Sequence, residues 1–295
     1  MSNFAAIDLS ALPQPAAVQT WSFAAIVAAR LVDFTARMQA AGIAYDTSGL
    51  ESEPAVKLQE TGAYREGLLY QRINEAVLAT SLAYSLGDDL TVIAANFMTE
   101  RASGELDPSL RRRAQLAWEA LSQGGSYGGY RYKALSAAPV ELADVAVYGA
   151  EIAGVAAGQV MLVCLGANAS GVPSAATLAR VSAAFPRDNR KVNDQIVVRA
   201  ATPAPYSVDA TLILSPGADP ATVVAAQTQA LNAFAAARRA IGASVSPGNI
   251  EAVLGYSAAG LVYDIQVRSP VALTGGDPFS APILSGARVV PQART

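Results

Sequence analysis

A chain of 295 residues with no histidine and one cysteine has few routes to chemistry. Without an imidazole, Ser-His-Asp and Cys-His catalysis are excluded, as is any histidine metal ligand. The many serines would need a lysine base, and no Ser-x-x-Lys stands in a suitable context. Carboxylates adjoin at Asp88/Asp89 and Glu51/Glu53, but neighbouring acids on caps and loops define no general acid and base. Metal binding by carboxylates alone stays open, although no EF-hand spacing is present. Arg111, Arg112 and Arg113 offer phosphate contacts; the plainer reading is a solvated helix face with one arginine in an intermolecular pair. The run YGGYRYK interleaves tyrosines with Arg131 and Lys133, as single-strand nucleic-acid binders do. Its plainer reading is a helix start anchored by tyrosines. The overlapping GGSYGG follows no strand, fits no Rossmann spacing and has no Walker A lysine. Cys164 lies in the apolar run VMLVCLG and reads as a small buried residue; a lone cysteine excludes an internal disulfide. The residues therefore predict no catalytic, cofactor or metal site.

Composition points elsewhere. Apolar residues make up 52% of the chain and charged residues only 15%, against about 25% charged in ordinary globular proteins. Either the core is unusually large or partners cover part of the apolar surface. The net charge of −3, with no basic tail, does not favour nucleic-acid binding. Residues 1–30 lack a secretory pattern, because Asp8, Pro13 and Pro15 interrupt them and no basic stretch precedes. The uncharged stretch 152–179 is broken by Gly154, Gly158, Gly166, Gly171 and Pro173. Only 160–165 is continuously apolar, which is strand length, so no membrane span is expected.

These residues sit in a regular order of elements. A first helix, WSFAAIVAARLVDFTARMQAAG, carries Phe23, Val27, Leu31, Phe34 and Met38 on one stripe. After the polar loop YDTSGLESE, Pro54 opens a long helix expected to run to Leu86, about 45 Å at 1.5 Å per residue. It has two apolar stripes: Leu69, Ile73, Val77, Thr80 and Tyr84 on one side, and Tyr64, Leu68, Leu78, Leu82 and Leu86 on another. A surface helix of a monomer needs one. The helix is therefore either central in its own domain or part of a bundle shared between chains, and Gly62 inside it calls for a close neighbour. Gly87 is expected to end it and Asp88 to cap the next helix, DLTVIAANF. Asp107-Pro108 opens another helix and Ser126 caps YGGYRYKALSAA. From Pro139 the pattern changes to strands, DVAVYGAE, GQVMLVCLG, DQIVVRAA, YSVDATLILSPG and LVYDIQVRS. Helices interrupt them, one capped by Asp219 ahead of Pro220. On YSVDATLILSPG, Val208, Ala210, Leu212 and Leu214 share a face. The tail VALTGGDPFSAPILSGARVV reads as a small hairpin. The expected class is α+β: a helical N-terminal half, then small α/β sandwich domains and a β-hairpin tail.

Several blocks of this sequence resemble the baseplate J-like family, the wedge proteins of contractile phage tails and phage-tail-like bacteriocins. The first is ESEPAVKLQETGAYREGLLYQRINEAVLATSLAYSLGDDLTVIAANF, through Glu53-Pro54, Tyr64-Arg65-Glu66, Gln71-Arg72-Ile73-Asn74, Ala76, Ala83 and Gly87-Asp88-Asp89-Leu90. The second is RRRAQLAWEALSQGGSYGGYRYKALSA, with Trp118 where proline is more usual. The third comprises PYSVDATLIL and AFAAARRAIGASVSPGNIEAVL. Together they cover about residues 50–270. The resemblance implies a structural, non-enzymatic subunit without cofactors. It would sit in the baseplate of a virion or phage-tail-like particle, a contractile injection system, assembled in the bacterial cytoplasm. Its implied partners are a second copy of itself, a smaller wedge subunit, neighbouring wedges, sheath-initiator and hub proteins. Neither nucleic acid nor membrane is among them. The implied organisation is an N-terminal arm and helix (1–50), a helical wedge-bundle region (51–138), two small α+β domains (139–201 and 202–270) and a C-terminal β extension (271–295). The candidate interface is then Tyr64, Leu68, Leu69, Arg72, Ile73, Val77, Leu78, Tyr84, Tyr130 and Arg131. The competing readings are a carboxylate-dependent hydrolase and an assembly scaffold absent from mature particles.

Overall fold

The computed structural model of the chain describes residues 7–45, 53–122, 125–256 and 260–294. The loop expected over 46–52, Glu51 of the Glu51/Glu53 pair, and 123–124 of the glycine-rich break lie outside the described residues. The chain divides into two compact units, within Ala5–Glu100 and within Arg101–Thr295.

The first unit is helical. A short 3-10 turn, Leu9–Ala11, precedes helix α1 (Phe23–Ala40), α2 (Pro54–Ala79) and α3 (Gly87–Ala95). Proline at the first position of α2 gives up no needed N–H. The helix ends seven residues before Leu86, contrary to the sequence expectation. The cause is local: the Thr80 hydroxyl donates to the Val77 carbonyl at 2.7 Å, and the Ser81 hydroxyl accepts the Ala83 N–H at 3.3 Å. Hydroxyl side chains competing for backbone groups commonly close a helix in this way. Gly87 does not end the long helix but opens α3, with a positive φ of 54°. Asp88 and Asp89 lie inside the first turn of α3, where carboxylates favour the helix dipole, rather than at the cap.

The second unit is α+β, as expected. It opens with α4 (Asp107–Leu116), a 3-10 turn (Ala117–Leu121) and α5 (Tyr127–Ala137), followed by strands β1 (Leu142–Tyr148) and β2 (Gln159–Gly166). Next come α6 (Ala175–Ala183), β3 (Gln195–Ala200), β4 (Thr202–Leu214), α7 (Pro220–Arg238), β5 (Ser244–Val245), α8 (Pro247–Tyr256), β6 (Val262–Ser269), β7 (Thr274–Gly275) and β8 (Ser280–Ala293). The caps follow the sequence: Ser126 accepts from the Gly129 N–H and Asp219 from the Thr222 N–H, both at 3.0 Å.

Two three-stranded sheets carry the unit, ordered β1-β2-β3 and β6-β4-β8. In the first, β2 pairs antiparallel with β1 and parallel with β3. Helices α5 and α6 cover one face through Leu135, Ala134, Val181 and Phe185, packed on Val145, Leu162 and Cys164. The other face packs Met161, Val163 and Leu165 against Ala281 and Ile283 of β8. Burial on both faces is why β2 reads as an unbroken apolar run. It also makes Cys164 fully buried, and burial, with Asp144 adding to it, pushes its thiol up to about 12. In the second sheet, Tyr206, Val208, Ala210, Leu212 and Leu214 of β4 pack on Val223 and Leu231 of α7 and Ile250 and Leu254 of α8.

The tail does not form the expected hairpin. β7 pairs with β5 over two residues, whereas β8 runs parallel to β4 from Thr202↔Ser280 to Leu214↔Ala293. Pro282, Gly286 and Pro291 look like turn signals, but β8 is an edge strand, where a missing N–H can be tolerated. A bulge absorbs one further residue between Tyr206 and Ser207, and there the Ser285 hydroxyl donates to the Tyr206 carbonyl at 2.9 Å.

Candidate functional site

The helical unit is built around α2 with very little core. Only Val56, Ala63 and Gly67 of its residues are buried, and α1 buries none. The contacts that fix α1 and the preceding segment along α2 are specific. The Asn74 amide clasps the Gln19 backbone, accepting its N–H at 3.0 Å and donating to its carbonyl at 2.8 Å. The Trp21 ring lies over Gly67, where a Cβ would come within 2.7 Å of it. The Arg30 guanidinium lies over Gly62 and pairs with Glu66 at 3.1 Å. Tyr84 donates to the Leu12 carbonyl. Ascending positions on α2 thus meet descending positions on the other segment, so the two run antiparallel. The close neighbour that Gly62 called for is an arginine head group rather than a backbone.

This arrangement is sensitive at Gly67. A Gly67→Val substitution drives the Trp21 ring off the helix, at an overpacking cost of about 1–3 kcal/mol. Tryptophan fluorescence should shift to the red, and the segment before α1 should be cleaved faster by protease. Trp118 supplies a constant background, being one of only two tryptophans.

With one face of α2 occupied by α1 and its leader, other faces carry exposed apolar side chains. Leu69 is 65% exposed and Ile73 55%, one turn apart; Tyr64 and Leu68 form a second exposed pair one turn apart. Arg72 lies beside them, exposed, in an i,i+3 pair with Glu75. Val77 and Leu78 are half-buried in the last turn of α2, and Tyr84 is half-buried beyond it, held to Leu12. The exposed apolar set continues in α3 with Val92.

Tyr130 and Arg131 have different surroundings. Tyr130 is only 8% exposed, packs at a tilt on Phe185 with 5.8 Å between ring centroids, and donates to Asp194. Burial first, then the Asp194 carboxylate, push its phenol well above the ordinary range. Arg131 donates to Asp144 at 2.5 Å. Both side chains are engaged within their own unit, so Tyr64, Leu68, Leu69, Arg72 and Ile73 are the exposed members of the set that the structure brings together. Trp21 and Arg30 were not among the candidate site residues, and Asn74 entered only within the run Gln71-Arg72-Ile73-Asn74 that carries the family resemblance. Two glycines and an asparagine inside one long helix were the signal that something lies against it.

No described helix is long and apolar enough to cross a membrane. Among the described residues, no group of three or more Cys, Asp or Glu side chains is placed to hold a metal ion.

The family model for the baseplate J-like N-terminal domain matches residues 51–103, which span α2 and α3. Baseplate protein J of Escherichia phage P2 is 35% identical over 285 residues, covering 90% of this chain and 91% of that protein. The chain belongs to the baseplate J-like family.

Proposed function

We propose that the chain is a structural subunit of a phage-type baseplate, and within it a wedge component. In this reading two copies and a smaller partner subunit share a helical bundle built on α2. Rings of such wedges surround the hub, hold the first sheath layer and pass on the contraction trigger. The observation that carries the reading is α2 itself: a 26-residue helix with three buried residues and several exposed apolar ones. An isolated pair of helices with so small a core is marginal in water. Two exposed pairs on separate faces, Tyr64 with Leu68 and Leu69 with Ile73, suit neighbours on more than one side. Family membership through a relative named as a baseplate protein supports the same role.

The test is a tagged copy recovered from cells that are assembling particles, with mass spectrometry of the co-purifying chains and of sedimented particles. Recovery in mature particles with sheath, tube and hub proteins is the expected result. Absence from particles, with the chain recovered only as a soluble monomer, rejects the baseplate role. A second expectation concerns the helical unit, within Ala5–Glu100, expressed alone. It should self-associate or precipitate, and light scattering showing a clean monomer at high concentration would count against the shared bundle.

A further inference from the structure

In the second unit, three arginines line one cavity, and two of them meet a single carboxylate. A cavity of about 610 Å³ is lined by Arg112 of α4, Arg131 of α5, Asp144 of β1 and Arg239 just past α7, with Ile283 and Leu284 of β8 on its apolar side. Asp144 is buried and its acceptors are committed. Oδ1 takes Arg131 at 2.5 Å and lies 3.6 Å from Arg112; Oδ2 takes the Ile241 N–H at 3.1 Å. Arg239 donates to the carbonyls of Gly166, at 3.0 Å, and Asn168, and among the described residues it forms no ion pair. Arg112 stands within ion-pair range of Asp144 but beyond hydrogen-bond distance. Each of the three arginines holds a buried Nε–H with no acceptor.

The charge count is unbalanced. Three guanidinium groups face one carboxylate. The C-terminal turn of α7, which also lines the cavity, adds only about half a negative charge. Burial depresses Arg112; the attraction of Asp144, with a smaller one from Glu105, exceeds the repulsion from Arg131 but does not offset the burial. The three side chains are half-buried, and a buried Nε–H costs stability unless something accepts from it. The planar fork of a guanidinium matches the two oxygens of a carboxylate or the edge of a phosphate.

We infer that this cavity is an oxyanion site, using Arg112, Arg131 and Arg239 to receive a carboxylate or phosphate group. The two groups share this chemistry but come from different sources, an acidic side chain of a neighbouring subunit or a free ion. The site does not depend on the baseplate reading, since its residues lie in the second unit and the test uses the purified full chain.

The experiment is thermal unfolding of the full chain titrated with inorganic phosphate, with glutarate and with chloride at matched ionic strength. The expected result is a saturating rise in Tm with phosphate or glutarate that chloride does not give. A response to glutarate assigns the site to a carboxylate from another chain, and a response to phosphate alone assigns it to a free ion. Arg112→Met should keep or raise the Tm without anion, because it removes a charge whose burial outweighs its attraction to Asp144, and should weaken anion binding by roughly tenfold or more. Arg239→Gln should weaken binding similarly and serves if Arg112→Met does not fold. Arg288→Gln, at an exposed ion pair with Asp209 on β8, should leave the response unchanged. Equal shifts with chloride, or a full response in both Arg112→Met and Arg239→Gln, overturn the site.

Discussion

A single Leu69→Asp substitution is expected to abolish incorporation of the chain into particles while leaving its own folding almost untouched. The two effects separate because Leu69 is largely exposed in the isolated chain. Surface substitutions of that kind usually change stability by no more than about 0.5 kcal/mol. In a bundle the same position is covered, and an aspartate without a partner there costs several kcal/mol per site. A ring multiplies that cost by its copy number. Ile73→Asp, one turn away on the same face, should behave in the same way. The measurement pairs the Tm of each purified variant with its yield in sedimented particles. Normal particles from Leu69→Asp would remove this face of α2 from any interface. Loss of particles together with a large loss of Tm would mean that Leu69 supports the fold, and the interface argument would fail for that residue.

How far the sequence foretold this molecule depends on the scale of the signal. Elements with a chemical marker at their start were legible: Asp107-Pro108, Ser126 and Asp219-Pro220 each open a helix where the side chain or the missing N–H dictates. The alternation Val208, Ala210, Leu212, Leu214 became the buried face of β4. What failed was set by context outside the local window. The end of α2 turns on hydroxyl contacts at Thr80 and Ser81, which compete with the helix by small margins. The long strand β8 carries two prolines and a glycine that mean turns only if the strand is central, and its edge position is a property of the whole sheet.

The candidate site shows the same division. Periodicity found the apolar faces of α2, because spacing alone separates sides of a helix. It could not tell which face the chain itself would cover, and here that cover comes through Trp21, Arg30 and the Gln19 backbone. The run Arg111-Arg112-Arg113 read as one solvated face with a partner on another chain. Consecutive residues on a helix point in different directions, however. Arg113 is buried against Glu105, and Arg112 reaches the cavity at Asp144.

Arg113 supports the second large prediction. Its Nη2 and Nε hold both oxygens of Glu105 at 2.6 and 2.8 Å, with the two side chains 5% and 0% exposed. Glu105 also accepts the Ala102 N–H at 3.0 Å and the Ser109 hydroxyl at 2.9 Å. Arg113 reaches Ser136 of α5, so the pair ties the segment before α4 to both helices. Arg113→Met leaves a buried carboxylate without its cation and should destabilise the chain by about 3–5 kcal/mol in denaturant unfolding. The double variant Glu105→Met/Arg113→Met removes both charges and should recover a substantial part of that loss, although the Ala102 N–H then lacks its acceptor. A double variant no better than the single one would place the energy in packing rather than charge. The pH dependence carries the same information. Burial alone would raise the Glu105 carboxyl, but Arg113 and its other donors outweigh burial and hold it below the ordinary value. A depressed folded-state pKa means the stabilisation is complete above the unfolded carboxyl value, about 4.3, and is lost as pH falls through the lower folded value. The wild-type chain should therefore lose stability steeply below about pH 4, and Arg113→Met should show a shallower acid limb, because its Glu105 no longer has a bound cation to lose.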